Sequence, residues 1–199
     1  MRGVVWFRTD LRIDDNPALH NALDNCEEVI GIYIFSQLQW KAHNESNVKL
    51  EFLLENLTLL EKSLSKLNIP LITINTDSFD SLPKDLCSFV VSNKVGQIFW
   101  NNEFGVNESK RDLLSSAILE KENVKTSRFD DQVIYQPGYL KTGQGKPFSV
   151  FTPFKRRWIE NFEMDFLDIN YTHPVKKPIN IESDLSKENF VRTHSVNMD

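Results

Sequence analysis

The chain has 199 residues, with 23 Lys+Arg against 28 Asp+Glu and a net charge of −5. That is enough for one ordinary domain with a real core, and it carries no general attraction to phosphate backbones, so any nucleic-acid contact has to be local. Cys26 and Cys87 lie far apart with no C-x-x-C and no neighbouring His, which argues against a disulfide framework and a zinc site and for a reducing compartment.

The N-terminus runs into charge at Arg8, too soon for a signal peptide, and the longest apolar run, "VIGIYIF", is far too short to span a bilayer. A soluble cytoplasmic protein with no membrane partner is the expectation. Apolar runs of strand length follow in order: "GVVWF" (3 to 7), "VIGIYIF" (29 to 35), "IPLITI" (69 to 74), "QIFW" (97 to 100) and a weaker one at "VKTSRF" (124 to 129). They are nearly continuous rather than alternating, as strands covered on both faces are. Asn16 before Pro17 predicts a capped helix with proline in its first turn. Over 48 to 67, Leu50, Leu53, Leu54, Leu57, Leu60, Leu64 and Leu67 recur at steps of three and four, a stripe that faces a sheet. Thr152 before Pro153 repeats the cap, and Phe154, Trp158, Phe162 and Phe166 follow at steps of four, predicting a helix packed on the body of the domain. From about residue 168 to 199 the pattern dissolves into a polar tail or interdomain linker. The alternation of strand and helix predicts an α/β fold: an open, mostly parallel, five-stranded Rossmann-like sheet with helices on both faces.

Ligands of open α/β sheets bind outside the carboxyl ends of the strands, where the strand order reverses. Three polar loops leave strands at that edge: "RTDLRIDDN", "SQLQWKAHNES" and "NNEFGVNESKRD". None has the glycine spacing of a phosphate cradle, and the chain holds seven glycines in all. Arg8, Asp10, Arg12, Asp14 and Asp15 alternate in sign. They read either as neighbouring pairs that neutralise each other on a partly exposed edge, together with a helix cap, or as the electrostatic lining of a crevice. Asn107 and Glu108 open a predicted helix. They read as an N-cap and a first-turn acid, or as acceptors for a paired donor edge such as that of a pterin. His43, close to Trp40, is either a surface loop histidine or a platform for a ligand. Lys155, Arg156 and Arg157 read as a solvated face rather than a nucleic-acid contact, because Trp158 belongs to the predicted buried stripe. No Ser-His-Asp set, nucleophile elbow or metal-ligand spacing is visible, so no catalytic or metal-binding residue is assigned.

"VVWFRTDLRIDDNPAL" resembles the opening of the DNA photolyase and cryptochrome family, and the resemblance continues through "GIYIF", "QWKAHN", "FWNNEFGVNESKRD", "FDDQVIYQPG" and "FTPFKRRW", over roughly residues 3 to 160. It is nearest to the bacterial class I enzymes that repair cyclobutane pyrimidine dimers. The family pairs an N-terminal α/β domain carrying a light-harvesting antenna with a C-terminal helical domain that holds FAD and damaged DNA. The resemblance therefore implies an antenna domain over 1 to 167 and a linker over 168 to 199, with the helical FAD domain absent from the chain. It implies a methenyltetrahydrofolate-type antenna rather than a deazaflavin, held by His43, Asn107 and Glu108. Because the family's folate site borrows contacts from the helical domain, the half-site is expected to bind weakly, and the chain alone is expected to be inactive in repair. A cryptochrome-like photosensor and a stand-alone nucleotide-binding module are the other readings. The surface that would meet the helical domain is expected to be apolar and exposed.

Overall fold

The computed structural model describes residues 1–162 and 172–185. Five parallel strands, β1 (Arg2–Phe7), β2 (Glu28–Ser36), β3 (Leu71–Thr76), β4 (Gln97–Asn101) and β5 (Lys125–Phe129), form one sheet in the order β3-β2-β1-β4-β5. The chain builds outward from β1 in one direction and then returns to β1's other side, so the strand order reverses between β1 and β4. The register sets Trp6 against Ile32 and Phe7 against Tyr33. The central strands are buried along almost their whole length, whereas β5 at the edge has no buried residue. That difference explains why only "VKTSRF" looked weak as a strand.

Helices cover both faces of the sheet. On one face, α1 (Pro17–Asn25) buries Ala18, Leu19, Ala22 and Leu23, and α3 (Asn47–Ser65) buries Leu50, Leu57, Leu60 and Leu64, all against Val5, Phe7, Val29 and Phe99. On the other face, α4 (Leu82–Ser92) and α5 (Val106–Lys121) meet Val4, Trp6, Ile30, Ile32, Ile34 and Trp100. The Asn16 side chain caps α1 as predicted, accepting from the Leu19 N–H at 3.1 Å. Asn68, Lys94 and Asn123 take left-handed backbone where α3, α4 and α5 turn towards the next strand.

Two local predictions need correction. Helix α6 (Phe151–Glu160) begins two residues early, with Val150 at its cap, so Thr152 and Pro153 lie inside its first turn. None of its residues is buried. Trp158 rests on Tyr135 edge-on at 5.5 Å and stacks on Phe162 at 5.2 Å, outside the main core. Phe166 lies outside the described residues. The cations Lys155, Arg156 and Arg157 are exposed, as expected.

Residues 172–185, within the stretch read as a tail or linker, return to the body. Val175 is buried and its N–H donates to the Leu67 carbonyl at 3.1 Å. Beside β3, the Leu71 N–H donates to Ser183 Oγ at 3.0 Å and the Thr73 N–H to Asp184 Oδ1 at 2.6 Å. The segment thus satisfies outward donors of an edge strand that would otherwise stand open.

Candidate functional site

Above the carboxyl ends of β1 and β2, beside the point where the strand order reverses, lies a cavity of about 570 Å³. Its size falls in the range of small-molecule sites, and its position is the one that open α/β sheets use for ligands. Trp6, Tyr33, Trp40, Phe52 and Phe79 give it aromatic walls, and Leu50 and Leu53 of α3 close one side. Short helix α2 (Gln37–Ala42) brings Gln39 and Trp40 to the wall and ends at His43.

The charge cluster after β1 turns inward, which corrects the reading of neighbouring pairs on a partly exposed edge. Arg8 and Asp10 are both more than nine-tenths buried, and their partners come from distant elements. Arg8 Nη1 donates to both carboxylate oxygens of the fully buried Asp112, at 2.9 and 2.8 Å, and its Nη2 donates to the Asn101 carbonyl. Arg111 Nη2 donates to Asp112 at 2.8 Å and to Glu103 at 2.9 Å. Both guanidinium carbons lie 4.8 Å from the Trp6 ring centroid, so two cations flank one indole. Asp10 accepts from the Arg8 N–H at 2.8 Å and from Asn101 Nδ2 at 2.6 Å, and Asn101 also donates to the capping Asn16 at 2.9 Å. Arg12 reaches outward instead, to Asp131 and to the carbonyls of Asp14 and Asp15.

This network ties β1, β4, α1 and α5 together at the floor of the site. Arg8, Asp10 and Arg12 also line the cavity, so the structural reading and the crevice reading of the cluster both hold. Burial pushes the Asp10 carboxyl pKa up, opposed by its hydrogen bonds from the Arg8 N–H and Asn101. Burial, reinforced by the nearby Glu103 carboxylate, pushes the Tyr33 hydroxyl pKa far above its ordinary value.

Two residues of the cavity wall carry a buried polar atom, shut off from the cavity, that has no hydrogen-bond partner among the described residues: Arg8 Nε and Ser36 Oγ. Ser36 stands at the N-cap position of α2, yet its hydroxyl does not bond to that helix.

His43 and Glu108 both line the cavity. His43 is exposed, with its Nε2 2.7 Å from Gln39 Nε2. Glu108 lies in the first turn of α5, and its carboxylate occupies the space where a side chain on Gly105 would stand. The cap of α5 is Gly105, not Asn107. Asn107 is exposed within the first turn and is not part of the cavity wall. The sequence reading missed Tyr33, Ser36, Gln39, Glu103 and Arg111. A signal for Arg111 was present: Arg111, Ser115 and Leu119 recur at steps of four on the buried side of α5, and a charge at such a position needs a buried partner.

An open parallel sheet with helices on both faces and an aromatic-walled crevice beside its switch point defines an α/β domain of the doubly wound class. The family model for DNA photolyase matches residues 3–178, and the chain belongs to that family. It is 37% identical to the deoxyribodipyrimidine photo-lyase of Escherichia coli over 158 residues, which is 79% of this chain and 33% of that protein. With the Vibrio cholerae photo-lyase it shares 33% identity over 160 residues, 80% of this chain and 34% of that one. The archaeal photolyase from Sulfolobus tokodaii, whose structure holds two FAD molecules and implies a novel light-harvesting cofactor, has the same fold. Its TM-score is 0.78 at 20% identity, over 97% of this chain and 41% of that one. The chain spans about a third of the length of these relatives and corresponds to the N-terminal domain of photolyase and cryptochrome proteins. Among the described residues, no helix is long and apolar enough to cross a membrane.

Proposed function

We propose that this domain is a light-harvesting module of a deoxyribodipyrimidine photolyase, acting in the cytoplasm and holding a methenyltetrahydrofolate-type antenna in the cavity above β1 and β2. The observation that carries the reading is the cavity itself: flat aromatic walls, with a carboxylate at its rim, at the switch point of the sheet. A ring of pterin size fits a volume of about 570 Å³. Glu108 would accept from the pterin's N–H and amino group, His43 would close the rim, and Asn107 would contribute from outside the wall. When bound, the antenna supplies absorption of near-ultraviolet and blue light.

FAD, the flipped-out pyrimidine dimer and the electron transfer between them belong to the helical domain of a full-length protein, so the domain alone repairs no DNA. Exposed apolar side chains suit contact with such a partner: Val106 is 72% exposed, Leu113 61% and Phe52 65%. The photo-lyase names of the bacterial relatives favour repair over a cryptochrome-like photosensory role. The lack of a glycine-rich phosphate loop weighs against a stand-alone nucleotide-binding module.

The test is an absorption titration of the chain with methenyltetrahydrofolate, alongside Glu108→Ala. The expected result is a red-shifted, saturable band whose affinity falls about tenfold in the variant, the worth of one good charge-assisted contact. No band with the unaltered chain overturns the antenna reading for this domain. Thymine-dimer repair by the chain alone under blue light overturns its assignment as a module without catalysis.

A further inference from the structure

Gly105 is a glycine that its own backbone does not require. It caps α5 at φ −64° and ψ 150°, extended geometry that any residue adopts, and its carbonyl accepts the first intrahelical bond, from the Ser109 N–H at 2.9 Å. At such a position Ser, Asn and Asp cap a helix better than glycine does, because their side chains accept from the orphan N–H groups of the first turn. α5 has no side-chain cap bond of this kind. Helix stability therefore leaves the glycine unexplained.

Its surroundings supply a reason. A Cβ on residue 105 would overlap Oε2 of Glu108 and come 2.8 Å from its carboxyl carbon, and the three nearest heavy atoms it would meet all belong to that one side chain. Glu108 thus folds back from the third residue of α5 over the bare backbone of the cap. It is half-buried and lines the cavity, and among the described residues its carboxylate takes part in no hydrogen bond or ion pair. The side chain is placed, yet all its acceptor capacity is left for a group in the cavity. Placement matters for affinity, because ordering a long side chain at the moment of binding weakens the complex.

We propose that Gly105 is a positioning residue for this cavity: the space left by its missing side chain is the seat that holds the Glu108 carboxylate at the wall, ready for the paired donors of a bound ring. The inference rests on the antenna reading and adds what sets the acceptor in place. Any side chain at 105 would drive the carboxylate into another rotamer.

Absorption titrations with methenyltetrahydrofolate compare the unaltered chain with Gly105→Ala, Gly105→Ser, Glu108→Ala and the double variant Gly105→Ala/Glu108→Ala. Gly105→Ala is expected to weaken binding about tenfold, as Glu108→Ala does, because both remove the same contact. The double variant is expected to bind no more weakly than either single one, since without the carboxylate the seat has nothing to hold. Gly105→Ser separates the seat from the cap. Serine caps better than glycine, so this variant is expected to keep or gain melting temperature while it loses about tenfold in affinity. It also serves if the alanine loosens α5. Variants at 105 that bind as tightly as the unaltered chain overturn the role of Gly105 and leave the antenna reading standing. So does a double variant weakened by the product of the two single losses, about a hundredfold, which marks the two residues as independent. Failure of methenyltetrahydrofolate to bind the unaltered chain overturns both.

Discussion

Helices α3 and α6 carry apolar stripes of the same kind, at steps of three and four residues, and they end in opposite surroundings. In α3, Leu50, Leu57, Leu60 and Leu64 are buried against the sheet. In α6 no residue is buried, and among the described residues its aromatic side chains meet Tyr135, Phe148 and Phe162. There they line a second hollow of about 400 Å³. Periodicity states that a helix has a face to cover; whether the same domain covers it depends on where the chain places that helix. α3 crosses between paired strands β2 and β3 and is held against them. α6 follows the last strand, and among the described residues none of its side chains belongs to either core cluster.

The sharpest way to break the comparison is at the buried floor that both β1 and α5 share. Asp112→Ala strands two guanidiniums, Arg8 and Arg111, without their common carboxylate. Loss of a buried ion-pair partner costs about 3–5 kcal/mol, so this variant is expected to be the least stable in urea denaturation. Next comes a matched pair on the two helices. Leu57→Ala removes a fully buried side chain and is expected to cost about 3 kcal/mol. Trp158→Ala, a larger deletion, is expected to cost below about 1 kcal/mol in this chain because its side chain is not enclosed. Equal losses in thermal melts would show that α6 is bound to the body as firmly as α3.

Smaller again is Asn16→Ala, which removes the cap of α1 and one partner of Asn101, with an expected loss of about 1–2 kcal/mol. The smallest effect concerns the returning segment. His173 Nε2 lies 3.0 Å from Asp24 Oδ1, and this hydrogen bond, helped by the Pro174 carbonyl, raises the His173 pKa above its ordinary 6.5. The same bond lowers Asp24 below its ordinary 3.8. The stabilisation from His173 is full below pH 6.5 and is lost as pH rises through the raised value. That from Asp24 is full above 3.8 and is lost as pH falls through the lowered value. The pairing is therefore strongest between those limits. Melting curves at pH 5.5 and pH 8 are expected to show a slight extra loss at the higher pH that His173→Ala abolishes; both groups are exposed, so the shift is small.

Several features were decided by the sequence alone, because they depend on interactions among near neighbours. Continuous apolar runs marked five strands in place, Asn16 with Pro17 marked the start of α1, and the leucine ladder marked α3. The motifs around "FRTDLRIDDN" and "NNEFGVNESKRD" carried the family. Glu108 and His43, chosen through that resemblance, both reach the cavity wall, while Asn107 does not.

What only the tertiary structure decided is which distant groups meet. The partners of Arg8 lie 93 and 104 residues away, at Asn101 and Asp112, so alternation of sign within the cluster carried no information about its pairing. Helix α5 keeps Arg111 and Asp112 buried because β1 supplies Arg8 beside them. Local propensity acts through a few bonds and can be read along the chain, whereas burial and charge pairing act through space and depend on the order in which the strands assemble.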